Sequence, residues 1–92
     1  METRTYSATL HIKETYEHPI YGRIFDAWVE SEATGVFDNA HYSMTSSQAI
    51  AYKVAAERRA WEWTNIVKHF DADTMEPVNV VINLAYAPEF LQ

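Results

Sequence analysis

Between Ser47 and Phe70 the apolar residues recur every three or four positions, and no other stretch of the chain shows that period. Ala49, Tyr52, Ala56, Ala60, Trp63, Val67 and Phe70 form one stripe, as a single face of one helix requires. Thr45-Ser46-Ser47-Gln48 stands in front of it with capping-box spacing, which satisfies backbone donors that the first turn leaves free. Asp71-Ala72-Asp73 closes the stripe, and Pro77 excludes any continuation. The small residues in its middle allow such a helix to lie close against a sheet.

The rest of the chain reads with period two. Over residues 4–15, Tyr6, Ala8, Leu10 and Ile12 point one way and Thr5, Ser7, Thr9, His11 and Lys13 the other, the mark of a half-exposed strand. Glu17-His18-Pro19 interrupts it, because proline donates nothing to a ladder. A second strand is predicted from Tyr21 to Ser31, with Phe25, Ala27 and Val29 inward and Ile24, Asp26, Trp28, Glu30 and Glu32 on the other side. Ala33-Thr34-Gly35 is a turn, and Val36 to Ser43 a weaker third strand because Asp38 and Asn39 disfavour extended structure. Val78, Val80, Ile82, Leu84 and Tyr86 alternate in the last strand, which Pro88 ends. The order β-β-(β)-α-β predicts an α+β fold, one long helix on one face of a three- or four-stranded antiparallel sheet. Residues 1–92 form one compact domain. Its expected core is Leu10, Ile12, Phe25, Ala56, Trp63, Val67, Val80, Ile82 and Leu84.

Composition narrows the function. Absence of cysteine removes disulfides, thiolate metal sites and a cysteine nucleophile, and fits a reducing cytoplasm. No apolar run approaches the roughly 20 residues of a membrane span, and METRTYSATL is polar and strand-like rather than a signal peptide. His11, His18, His41 and His69 are scattered over different elements without metal-ligand spacing. The acids of Asp71–Glu76 resemble a calcium loop but lack its central glycine and distant glutamate. Two glycines leave no phosphate-cradling loop, and no nucleophile or paired-carboxylate motif is present. The expectation is a protein that is not an enzyme and carries no cofactor or metal.

Charge points to a partner. Thirteen carboxylates face seven Lys and Arg, a net charge of −6, although 48% of the residues are hydrophobic. The only adjacent basic pair, Arg58-Arg59, is flanked by Glu57 and Glu62, so direct or sequence-specific nucleic-acid binding is not expected. An acidic coat instead attracts basic protein surfaces, including those that hold nucleic acid. Trp28, among Asp26, Glu30 and Glu32, has the composition of a binding hot spot if exposed; the alternative is a strand packed on both sides or in the reverse register. Ile50, Val54 and Trp61 make a second apolar stripe on the helix, either buried over a wide arc or facing a partner. Tyr16, Tyr21, Tyr42 and Tyr86 add aromatic residues suited to interfaces. The residues expected to bind a partner are Tyr21 and Trp28 as anchors, with Asp26, Glu30, Glu32, Asp71, Asp73 and Glu76 as steering charges.

METRTYSATLHIKETY at the start, the single helix SSQAIAYKVAAERRAWEWTNIVKHF and the closing VNVVINLAYAPEFLQ give the whole chain a recognisable character. It resembles the small phage-encoded anti-CRISPR proteins that act on type I surveillance complexes. The likeness is of overall character rather than of a motif, so no functional residue is carried over. It implies a Cas protein subunit as partner in the cytoplasm of a bacterial host, with a basic groove blocked so that target DNA cannot be recognised. A monomer is expected. The alternative is a homo-oligomeric α+β interaction module of phage or bacterium without catalytic activity, its exposed stripe being its own dimer face.

Overall fold

A computed structural model describes residues 1–89. The elements run β1 (Thr3–His18), β2 (Gly22–Ser31), β3 (Tyr42–Thr45), α1 (Ser46–Asn65), β4 (His69–Phe70) and β5 (Pro77–Tyr86). They build an α+β domain in which one helix packs on a five-stranded mixed sheet of order β3-β2-β1-β5-β4. β1 is long and central. It pairs antiparallel with β2 over Ala8–His18 and parallel with β5 over Thr3–Leu10. This stagger draws the molecule out to 55 × 20 × 17 Å.

The expected three- or four-stranded antiparallel sheet is therefore corrected in one pairing and in strand number. β2 and β3 each reverse the strand before them, so β3 runs with β1. The crossover through α1, 20 residues and about 30 Å long, carries the chain back across the sheet, and β5 starts in the direction of β1. Parallel neighbours need a crossover of this kind. The added strand is β4, two residues that pair with Pro77 and Val78.

The third strand starts later than Val36. Asp38 accepts the Ala40 N–H at 3.2 Å and the Tyr42 hydroxyl at 2.7 Å, folding residues 36–41 into a loop before β3. The helix also stops earlier than Phe70. Its last carbonyls already have partners: the Asn65 amide donates to Trp61 O at 2.8 Å, the Ile66 and Val67 N–H groups to Glu62 O at 2.7 and 3.0 Å, and His69 Nε2 lies 2.9 Å from Trp63 O. The β-branched run Thr64, Ile66, Val67 adds little to a helix. Its start is as expected, with the Thr45 N–H donating to the Gln48 carboxamide at 2.9 Å.

Ala8, Leu10, Ile12, Phe25, Ala27 and Val29 meet Ala49, Ala56, Ala60 and Ile82 in the core. Of the expected core residues, Trp63, Val80 and Leu84 are half-buried against it. Val67 is instead 40% exposed, because it lies beyond the helix end. Thr64 on α1 accepts the Ile82 N–H at 2.9 Å, so the helix supplies a partner along the outer edge of β5.

Candidate protein-docking face

Residues 10, 12, 27 and 29 are buried beneath the helix, so their neighbours His11, Asp26, Trp28 and Glu30 stand on the opposite face of the sheet. Among the described residues no second layer of secondary structure covers that face. Trp28 therefore does point away from the core, in the register expected from its alternation. It is half-buried all the same, because side chains from neighbouring segments stack on it.

His11 lies directly across from Trp28 in the β1–β2 ladder. The two rings stack with centroids 4.3 Å apart and planes 2° from parallel. On the other side His41, from the loop before β3, stacks at 4.2 Å and 15°. An indole sandwiched between two imidazoles results, spanning three chain segments. Carboxylates surround it. Asp26 lies 3.2 Å from His41 Nδ1, and Glu30 and Glu89 lie 3.2 and 3.4 Å from the two nitrogens of His11. The Glu30 contact is off-line for a hydrogen bond, and His11 Nε2 is otherwise buried without a partner. The Trp28 indole N–H points to the same Glu30 oxygen at 3.5 Å. The Glu89 carboxyl is held below the usual carboxylate range by its own backbone N–H and then by His11.

The other residues expected to bind a partner do not join this cluster. Glu32 is at its border, where its carboxylate accepts the Ser7 N–H at 3.1 Å and so serves the strand end as well as the surface charge. Tyr21 sits at the β1–β2 hairpin tip, 66% exposed, with its ring 4.7 Å from His18. Seven residues of strand, roughly 23 Å at the usual rise, separate Tyr21 from Trp28. His18 shapes that tip by accepting the Ile20 and Tyr21 N–H groups at 3.0 and 3.2 Å, with Gly22 at φ +74°.

Asp71, Asp73 and Glu76 form the β4–β5 turn near the start of β1, again far from Trp28. Asp71 has a structural task there. One oxygen accepts the Asp73 and Thr74 N–H groups at 2.8 and 3.0 Å, and the other meets Arg4 at 2.5 Å. Arg4 first and these amides next hold the Asp71 carboxyl well below its ordinary value. Asp73 and Glu76 remain exposed.

The helix stripe left open by its sequence is exposed: Ile50 by 60%, Val54 by 58% and Trp61 by 51%. The residues between the two stripes face β5 instead. Glu57 takes hydrogen bonds from the Tyr86 hydroxyl and from Lys53 at 3.2 Å, which together depress its carboxyl. A groove of about 610 Å³ opens on the other flank of α1, lined by Val36, Phe37, Met44, Tyr52 and Arg59, and burial pushes the Tyr52 phenol up to about 12.

The stack was missed in the sequence because its members are 13 to 30 positions apart; the one available signal was that His11 alternates onto the same face as Trp28 does on its own strand. Among the described residues no three His, Asp or Glu side chains are placed to hold a metal ion, and no helix is long and apolar enough to cross a membrane. Chemically the face offers rigid aromatic edges, acceptor oxygens and negative charge, the equipment for binding a cation-bearing surface. No known protein family, curated protein or solved structure matches this chain.

Proposed function

We propose that this protein works by binding rather than catalysis, docking its acidic sheet face on a basic surface of another protein. The observation that carries this reading is the uneven pairing of charge. Arg4, Arg23, Lys53 and Arg58 each sit on a carboxylate of this chain, namely Glu2 and Asp71, Glu14, Glu57 and Glu62. Asp26 and Glu30 meet imidazoles and, for Glu30, the Trp28 indole N–H, but no Lys or Arg, and so keep charge available to a partner. The resemblance to anti-CRISPR proteins supplies the partner: a Cas subunit of a type I surveillance complex in the bacterial cytoplasm, whose target-DNA recognition is blocked. The test is binding to purified surveillance complexes followed by surface plasmon resonance at low and high salt. Steering by exposed charges predicts association that slows as salt rises while dissociation changes little. No binding to any such complex removes the inhibitor reading.

A second reading has its own support in the exposed Ile50, Val54 and Trp61 stripe, which suits a self-associating helix face. Sedimentation equilibrium over a range of concentrations separates the two, since the inhibitor reading requires a monomer free to meet its partner.

A further inference from the structure

We infer that the His11–Trp28–His41 face is an arginine-reading site, taking two guanidinium groups of an extended basic segment on either side of Trp28. The inference rests on the docking reading above and narrows its partner chemistry. Asp26 and Glu30 flank Trp28 on β2, four residues or about 13 Å apart at the strand rise. In each, one oxygen faces an imidazole and the other, Asp26 Oδ1 or Glu30 Oε2, has no hydrogen-bond partner among the described residues. The Glu30 side chain is 69% exposed and that of Asp26 34% exposed, so both can be reached.

The aromatic part selects the cation. Trp28 has both ring faces occupied, but the outer side of the stack ends in His41, whose side chain is 53% exposed. A planar guanidinium can continue that stack beside Asp26 and still donate to its free oxygen. A lysine ammonium, compact and strongly hydrated, can donate to that oxygen but has no planar face with which to continue the stack. His11 and Trp28 are held in register by the β1–β2 ladder, and His41 is already stacked on Trp28 and 3.2 Å from Asp26, so little ordering is required on binding. A second guanidinium then meets Glu30. An extended segment places side chains four residues apart at about the same 13 Å spacing, so the partner reads Arg-x-x-x-Arg.

The probe is the end-blocked peptide Arg-Ala-Ala-Ala-Arg, with its lysine counterpart, titrated against the whole protein and followed by NMR. We expect the Trp28 indole N–H and the amides of Asp26 and Glu30 to shift, with the lysine peptide binding several-fold more weakly. Asp26→Asn with Glu30→Gln should weaken binding about tenfold, the sum of two exposed charge pairs near the upper part of their range. Asp73→Asn with Glu76→Gln removes the same charge elsewhere and should leave binding unchanged. Equal affinity for both peptides, equal loss in the two double variants, shifts confined to the Asp71–Glu76 turn, or no shift at all would each overturn the inference. If the peptide binds as stated and surveillance complexes ignore the protein, the inhibitor reading fails and this site stands. Inhibition that survives Asp26→Asn with Glu30→Gln has the opposite meaning.

Discussion

Replacing Thr64 by valine tests how the helix protects the sheet. From Asn79 onward the outer edge of β5 has no strand partner among the described residues, since β4 pairs only with Pro77 and Val78. The Ile82 N–H on that edge donates to Thr64 Oγ1 at 2.9 Å, and Ile82 is only 6% exposed, so water offers no ready substitute. Valine keeps the shape and nearly the same helix propensity, but removes the acceptor. A buried donor left without a partner costs about 1–3 kcal/mol. Serine keeps the oxygen and loses one methyl group, a cost below about 1 kcal/mol. In a domain of this size each kcal/mol moves Tm by about 4–8 °C. Thr64→Val is therefore expected to melt roughly 4–24 °C below wild type and clearly below Thr64→Ser. Urea denaturation should show the same order with an unchanged m-value. Amide exchange at Ile82 should accelerate selectively. A valine variant as stable as the serine variant would refute the assignment of this hydrogen bond.

Other outcomes follow from particular contacts. Trp63 is half-buried against the core and Val67 lies outside it, so Trp63→Ala should cost about 2–3 kcal/mol and Val67→Ala under about 0.5 kcal/mol, as read by urea denaturation. Met75 occupies the left-handed region at φ +58° with its side chain 70% exposed, so Met75→Gly should raise stability by up to about 1 kcal/mol in the same assay. The Asp71 carboxyl is depressed in the folded state, so its contribution is complete above its unfolded value of 3.8 and is lost as pH falls through the folded value. The stability difference between wild type and Asp71→Asn should thus shrink on acidification below about pH 4, measured by urea midpoints across pH. Trp61→Glu should leave the fold intact, and should abolish any self-association detected by sedimentation, because Trp61 is 51% exposed on the helix.

What could be read from the sequence was local. The start of α1 depends on Thr45 and Gln48, three residues apart, and the alternation of Leu10 and Ile12 or Ala27 and Val29 fixes which side of each strand is buried. The helix end was overextended because Val67 and Phe70 continue the stripe by coincidence. Phe70 belongs to β4, and the stop comes from Asn65 and His69 folding back on the last carbonyls. The direction of β5 and the pairing of β4 depend on where the crossover lands, which no local period encodes. At the candidate site, Asp26, Trp28 and Glu30 were recognisable as one face of β2. The two imidazoles were not, since His11 and His41 arrive from β1 and from a loop whose path is set by Asp38. Asp71 and Glu32 looked like free charges and turned out to hold backbone amides.

Occupancy of target DNA on a type I surveillance complex, titrated with three forms of the protein, bears most directly on the proposed function. The forms are wild type, Asp26→Lys with Glu30→Lys, and Trp61→Glu. Docking through the sheet face predicts that wild type and Trp61→Glu displace DNA alike, while the charge-reversed protein folds normally and leaves DNA bound, because exposed charges contribute little to the fold. DNA binding untouched by saturating wild type, or displacement that persists after charge reversal, would contradict it.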